Sequence, residues 1–173
     1  SKGVLTPEVK KMGDLTGEKL HQFLQGRFIA SLATENDDGS IHLAAVWYIF
    51  EGDTFLVATT SSTRKARNVL ARPKASLMVD ARTTELQKGT TAICTVEVIH
   101  GEESRAINHR IHGRYLSAAA LADPAVGPAF ADMDDMTLRL VPQRWIDWDM
   151  AELDAQAFGG VFRRNPDYML PPD

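Results

Sequence analysis

The stretch FIASLATENDDGSIHLAAVWYIFEGDTFLVATT, residues 28–60, decides the fold of this chain. Its three runs at 28–34, 41–50 and 54–60 are rich in the apolar and β-branched residues that favour strands. The connections between them are short and polar, and each contains a glycine next to aspartate or serine, which favours a tight turn. Three strands joined in this way predict an antiparallel meander rather than βαβ units.

The sequence on either side of this meander predicts further strands and several helices. An apolar face at helical spacing predicts a helix over residues 15–24, begun by Thr16 and ended by Gly26. Further predicted elements are a helix over 61–71, strands over 74–81 and 90–99, a helix over 102–114, and a last strand or pair of strands over 136–141 and 145–150. Residues 1–13 are expected to form an N-terminal arm, and residues 151–173 a poorly patterned tail that wraps over the surface or a partner.

This count of elements predicts a mainly β protein with short helices. Six or seven antiparallel strands with flanking helices are expected to close into a split β-barrel, because closure removes exposed sheet edges. The length of 173 residues favours a single domain over residues 1–173.

Composition and charge exclude several classes of protein. The formal net charge is -4, so the chain lacks the basic field of a nucleic-acid binder. No apolar run approaches the roughly 18 residues of a membrane span, and no apolar segment follows the first lysines as in a signal peptide. We therefore expect a soluble, cytoplasmic protein. Its one cysteine, Cys94, lies in an apolar run and is expected to be a core side chain.

The residues that carry chemistry join the third strand to the helix after it. Five hydroxyl residues at 59–63 are followed by Arg64 and Lys65 in the first turn of that helix. Free amides at a helix N-terminus, hydroxyl groups and basic side chains are all good phosphate ligands. The alternative is a helix capped by Ser61 or Ser62 with a solvated basic face, and the chemistry of the residues does not decide between the two. A Walker motif is absent, which argues against a nucleoside triphosphate.

The run Thr59 to Val79 resembles the pyridoxamine 5'-phosphate oxidase-like superfamily of FMN-binding split barrels. In that superfamily a strand ends in threonine, an Arg-Lys pair follows, and a short helix ends before a proline and the next strand. The resemblance extends over residues 15–150. It implies that the phosphate of FMN is held by Arg64 and Lys65, with supporting donors at Thr59, Thr60 and Ser61.

The resemblance also implies where the cofactor ring lies and which cofactor it is. Val46, Trp47 and Tyr48 match the strand that runs along the isoalloxazine ring, where the backbone makes the contacts. One branch of the superfamily uses the deazaflavin F420, and its Lys-x-Arg-Asn pattern matches residues 65–68, ending in Asn68. FMN is therefore the expected cofactor, with F420 as the alternative.

The function implied is that of an oxidoreductase that uses the bound ring to transfer hydride or electrons to or from an unidentified small organic substrate. The C-terminal substrate signature of authentic pyridoxamine phosphate oxidase has no convincing copy here, and no catalytic residue is assigned. Members form homodimers with cofactor sites at the interface, so residues 145–148 and the tail are expected to reach the partner's site. The alternative is a non-catalytic carrier of a flavin, F420 or haem.

Histidines and tryptophans outside this segment carry weaker predictions. His100, His109 and His112 lie close together in sequence, but on a polar helix they more often form a solvated surface than a metal site, and no metal is predicted. Trp145 and Trp148 are expected to pack in the core or at a dimer interface, with stacking near a flavin edge as the alternative.

Overall fold

The computed structural model describes residues 17–83 and 87–173. The strands in these residues are β1 (Ala30–Glu35), β2 (Ile41–Val46), β3 (Tyr48–Glu51), β4 (Thr54–Thr59), β5 (Lys74–Arg82), β6 (Gln87–Ile99) and β7 (Met136–Asp149). The helices are α1 (Gly17–Leu24), α2 (Arg64–Ala71), α3 (Gly101–Tyr115), α4 (Ala118–Ala122), α5 (Gly127–Met133), α6 (Met150–Ala157) and α7 (Val161–Arg164), and a 3-10 turn follows at Pro166–Tyr168. The predicted arm over residues 1–13 and the predicted cap at Thr16 lie outside the described residues.

All seven strands form one antiparallel sheet in the order β2-β1-β5-β6-β7-β4-β3. The chain passes from β2 at one edge to β3 at the other across a single residue, so the sheet must curl to bring its edges together. The curled sheet with its flanking helices confirms the predicted mainly β, split-barrel fold.

The predicted strand over residues 41–50 is broken at Trp47, and this part of the prediction was wrong. Val46 pairs with Ala30 in β1, whereas Tyr48 pairs with Val57 in β4. An unbroken strand could pair at only one edge of the sheet. The break lets the first half of this apolar run pair with β1 and the second half pair with β4. The return from β3 to β4 is a two-residue turn in which Gly52 and Asp53 both have positive φ, as the tightest hairpins require.

The last predicted strands form one continuous strand, β7, that contains a bulge. Pro142 lies opposite Cys94 and Arg144 lies opposite Ile93, so Gln143 is an extra residue on the β7 side. A bulge tolerates a proline, which cannot donate a ladder hydrogen bond. The strand continues past it, and the Trp145 ring packs against Phe50 and Phe55 with centroids 6.0 and 5.8 Å away.

The core fills the concave side of the sheet, where alternate strand residues point inward. The largest fully buried side chains are Tyr48, Phe55, Leu24, Leu32, Leu77, Ile111, Met136, Leu138, Leu140, Val57, Val69 and Val79. A smaller cluster beneath α3 joins Leu56, Ile99, Ile107 and Ile111. Cys94 is buried in the main core, as expected, and burial raises the pKa of its thiol to about 12.

The tail is more regular than its sequence suggested. Asp149 ends β7 and accepts hydrogen bonds from the backbone N–H groups of Ala151 and Glu152, so it caps α6. The buried Asp154 carboxylate accepts backbone N–H groups from Phe162 and Arg163, which ties α7 to α6. Local caps therefore order a segment that lacks a clear apolar period.

Candidate functional site

The candidate phosphate segment, Thr59 to Lys65, runs from the end of β4 into the first turn of α2. Thr59 is buried, and its Oγ1 lies 3.2 Å from Oγ1 of Thr63. The Thr63 hydroxyl donates to the carbonyl of Thr60 at 2.8 Å, and the Thr63 N–H donates to the same carbonyl at 3.0 Å. The turn is thus built by its own hydroxyl groups, which hold Arg64 and Lys65 at the start of the helix.

The start of α2 has no side-chain cap. Its N-cap residue is Thr63 rather than Ser61 or Ser62, and the Thr63 hydroxyl makes no capping hydrogen bond because it is used within the turn. The predicted cap at Ser61 or Ser62 was therefore wrong, while the solvated basic face that went with it stays an alternative prediction. The first amides of α2 keep their donor capacity, which is the property that makes a helix N-terminus bind anions.

The basic residues of α2 are Arg64, Lys65 and Arg67. Arg64 and Arg67 are exposed and Lys65 is half-buried. Within residues 17–83 and 87–173, none of the three forms an ion pair. The Asp38 carboxyl has a lowered pKa, mainly through hydrogen bonds from Ser40 and to a lesser extent through the Arg64 charge. An uncapped helix start with unpaired cations is suited to an external anion.

Ser61, one of the predicted phosphate donors, is already hydrogen-bonded to a carboxylate from a distant part of the chain. Ser61 donates its backbone N–H and its hydroxyl to the two carboxylate oxygens of Asp135, each at 2.7 Å. The Ser61 hydroxyl, followed by its N–H, lowers the pKa of Asp135. The neighbouring Thr60 hydroxyl lies 3.5 Å from Oδ1 of Asp134. Ser61 therefore presents donors that already hold an oxyanion, and a phosphate at Ser61 has to displace Asp135.

The Asn68 side chain is buried in the protein and is not exposed beside the phosphate segment. It is 2 % exposed, and its Nδ2 donates to Thr34 Oγ1 at 3.1 Å and to Asn36 Oδ1 at 2.9 Å. These bonds fasten α2 to the end of β1. The position of Arg64 and Lys65 relative to the sheet depends on this anchor.

The predicted ring-contact residues surround the break between β2 and β3. Val46 and Tyr48 are buried, and the Tyr48 hydroxyl donates to the carbonyl of Leu24 at 3.0 Å. Burial raises the pKa of Tyr48 well above its usual range. Trp47 points to the opposite side, where its ring stacks on Tyr115 with centroids 4.9 Å apart. Only backbone and Trp47 are left to contact a ring here.

A polar network on α3 was not anticipated from the sequence. His112, which is 3 % exposed, places Nε2 at 2.7 Å from Asp134 Oδ2. The amide of Asn108 donates to the carbonyls of Asp134 and Met136, at 2.9 and 3.1 Å. The sequence marked His112 as part of a histidine group, but nothing in it pointed to Asp134.

Metal binding finds no support from these histidines in the part of the chain that the structure describes. His100 and His109 are exposed, and no group of three or more His, Cys, Asp or Glu side chains there is arranged to hold a metal ion. Across the same residues, every helix is too short or too polar to cross a membrane.

Comparison with known proteins identifies the class. Residues 16–149 match the family model described as pyridoxamine 5'-phosphate oxidase, and the chain belongs to this family of split barrels. No curated protein matches the chain.

Solved structures with the same fold share little sequence with this chain. A conserved hypothetical protein of Mycobacterium tuberculosis is 22% identical, with a TM-score of 0.70 over 83% of this chain and 91% of that one. An F420 reductase is 21% identical, with a TM-score of 0.59 over 73% and 94%. The haem storage protein of Vibrio cholerae is 18% identical, with a TM-score of 0.58 over 76% and 93%. At these identities the similarity shows the fold alone.

Proposed function

We propose that this chain binds a phosphate-bearing flavin or deazaflavin and works as an oxidoreductase on a small organic substrate. The observation that carries the proposal is the uncapped start of α2, where Arg64 and Lys65 have no carboxylate partner within the described ranges. Unpaired guanidinium and ammonium groups beside free amides match the charge and geometry of a phosphate. The family to which the chain belongs supports this assignment.

Each part of the segment has a role in this proposal. Arg64 and Lys65 bind the phosphate. Thr60 and Ser61 are the supporting hydroxyl donors, with Ser61 released from Asp135, while the buried Thr59 hydroxyl contacts Thr63 and shapes the turn. The backbone at 46–48 borders the ring, which, when bound, supplies the hydride or electron chemistry. The chain itself provides positioning, and Trp47, whose ring stacks on Tyr115 and on Phe130, adds apolar surface.

FMN is the first candidate for the cofactor and F420 is the second. The Arg64-Lys65 pair favours FMN through its resemblance to FMN-binding split barrels. The Lys-x-Arg-Asn pattern favours F420, and the fold similarity to a protein described as an F420 reductase adds support. Both ligands carry a phosphate on a tricyclic ring system, so the same segment serves either one.

We further propose that the chain is a homodimer with cofactor sites at the interface. The strands β2 and β7 expose apolar side chains that a second copy would cover: Ile41 64%, Leu43 66%, Ile146 46% and Trp148 41%. Large apolar side chains left exposed in this way are consistent with an interface. Trp148 lies in the region from which the partner's site is expected to receive side chains.

The rival function is that of a non-catalytic carrier. One protein with the same fold is described as a haem storage protein, which favours a binding role for this architecture as well. The acidic and basic side chains at the segment are committed to structure or to anion binding, and none is placed as an evident acid or base. A carrier of a flavin or F420 would use the same cofactor contacts as the oxidoreductase, so these two functions differ only in turnover.

The experiment titrates cofactor-stripped protein with FMN, F420 and haem in parallel, and then tests turnover. The preferred ring is reduced in the complex by a nicotinamide donor, or supplied already reduced, and its reoxidation is followed with a quinone or nitroaromatic acceptor. An oxidoreductase binds one flavin-type ring and shows acceptor-dependent reoxidation above the rate of the free cofactor. A carrier binds tightly and shows no such increase, and preferential haem binding contradicts the flavin proposal.

A further inference from the structure

A cleft of about 300 Å³ lies between α3 and the α4–α5 segment. It borders the candidate phosphate segment, because Asp134 in its lining lies 3.5 Å from the Thr60 hydroxyl. Leu121 and Pro128 are among its apolar lining residues, and its polar lining comes from Arg105, Asn108, His109, His112 and Asp134. A Cβ at Gly127 would lie 2.0 Å from the carbonyl oxygen of Leu121, so only glycine lets α5 start this close to the end of α4. The cleft is within the size range of small-molecule sites.

The negative charge in the cleft is already satisfied by the protein. Asp134 Oδ2 lies 2.7 Å from His112 Nε2, and its Oδ1 lies 3.5 Å from the Thr60 hydroxyl. The Phe130 ring packs edge-on against the His112 imidazole with centroids 5.2 Å apart and fixes its orientation. Asp134 is therefore committed to His112 and Thr60, and it is not a free acceptor for a cationic ligand.

The positive groups of the cleft are not satisfied in this way. Arg105 and His109 are both exposed at its mouth, one helical turn apart on α3. Neither takes part in an ion pair or side-chain hydrogen bond over residues 17–83 and 87–173. The next arginine along the helix, Arg110, differs in this respect because it pairs with Glu51. The unpaired donors of Arg105 and His109 are therefore available to bind an anion.

We propose that this cleft is a second binding site, for a small monocarboxylate with an apolar body. The Arg105 guanidinium receives the carboxylate as a bidentate pair, and His109 adds a further donor. The apolar body lies against Leu121 and Pro128. One free guanidinium facing an apolar wall matches one anionic group on an apolar molecule better than it matches a polyanion. This site borders the proposed cofactor segment through Asp134, which contacts both His112 and Thr60, but its anion-binding group is Arg105 rather than Arg64 or Lys65.

The test compares benzoate with benzamide, a neutral molecule of nearly the same shape, by calorimetry and by NMR of the histidine ring protons. Benzoate is expected to bind at least tenfold more tightly than benzamide and to shift the His109 and His112 signals. Arg105→Gln is expected to lower benzoate affinity at least tenfold, since charge-assisted hydrogen bonds to a guanidinium are lost. The matched control Arg110→Gln, on the same helix, is expected to retain the parent's affinity.

A further variant separates this site from the proposed cofactor site. The Arg64→Ala/Lys65→Ala protein is expected to bind benzoate as the parent does, whatever it does to FMN or F420. The proposal is overturned if benzoate shows no saturable binding, if benzamide binds equally well, or if the Arg105→Gln protein binds benzoate like the parent. Loss of benzoate binding in the Arg64→Ala/Lys65→Ala protein alone also overturns it, because the anion would then occupy the cofactor segment.

Discussion

Asp135 holds Ser61 through both of that residue's donors, the backbone N–H and the hydroxyl, each at 2.7 Å, although the two residues are 74 positions apart in sequence. The contact joins the turn before β7 to the turn before α2. It places a carboxylate beside the helix start where the proposed cofactor phosphate binds. Asp135 thus stabilises the turn, and under the proposed function it would compete with the cofactor phosphate for the donors of Ser61.

Removing the charge of Asp135 is expected to tighten cofactor binding. Asp135→Asn keeps a similar shape but releases part of the hold on Ser61 and removes a negative charge near the phosphate. An exposed charge interaction contributes about 1 kcal/mol, so the Kd for the preferred cofactor should fall by roughly threefold to tenfold. Fluorescence titration measures this Kd. Asp132→Asn, which removes an exposed carboxylate of α5, is the control and should leave the Kd unchanged. Weaker binding by Asp135→Asn would mean that Asp135 positions Ser61 for the phosphate instead of competing with it.

The same carboxylate is expected to make stability depend on pH in the acidic range. Hydrogen bonds from Ser61 lower the pKa of Asp135 in the folded protein. A group with a lowered folded pKa stabilises the fold fully above its unfolded pKa of about 3.9, and this stabilisation is lost as the pH falls through the folded pKa. Urea unfolding of parent and Asp135→Asn should show a constant stability difference near neutral pH that shrinks below about pH 4. A difference that does not change on acidification would contradict this role.

Asn68 is expected to contribute mainly to stability. Asn68→Ala leaves a cavity and removes the hydrogen bonds to Thr34 and Asn36, so the free energy of unfolding should fall by roughly 1–3 kcal/mol. Chemical denaturation measures the change. The adjacent exposed variant Arg67→Ala serves as the control and should stay within about 0.5 kcal/mol of the parent. A neutral Asn68→Ala protein would show that α2 does not need this anchor.

Cys94 is expected to be unreactive in the folded protein. Burial raises the pKa of its thiol to about 12, so almost no thiolate forms near neutral pH, and the residue is 2 % exposed. A thiol-specific chromogenic disulfide should label no cysteine in the native protein and one per chain after denaturation. Rapid labelling of the native protein would contradict the burial of this residue in the core.

Much of the fold follows from local patterns. The apolar runs, the polar turns and the proline after α2 predicted β1, β4, β5, β6 and the helices α2 and α3 close to their observed bounds. The break at Trp47 was not predictable in this way, because residues 43–50 are apolar without interruption and carry no turn signal. Only the requirement that one run close both edges of the sheet produces the break.

The sequence predicted the basic residues of the candidate site but not the carboxylates that surround them. Arg64 and Lys65 could be found because they follow a hydroxyl-rich turn in sequence. Asp134 and Asp135 could not, because they reach Thr60 and Ser61 only when β7 pairs with β4 and brings Met136 opposite Thr59. The caps at Asp149 and Asp154 were missed for a related reason, since each depends on where a neighbouring element begins.

The central claim, that the start of α2 binds a cofactor phosphate, is tested most directly by titrating cofactor-stripped Arg64→Ala/Lys65→Ala protein with FMN and F420. The matched control is Arg27→Ala/Arg110→Ala, which removes the same charge from two exposed arginines elsewhere. Loss of the charge-assisted contacts should weaken binding of the preferred cofactor by about 3 kcal/mol, roughly a hundredfold in Kd, while the control binds like the parent. Equal binding by the parent and the Arg64→Ala/Lys65→Ala protein, or the same loss in the control, would contradict the claim.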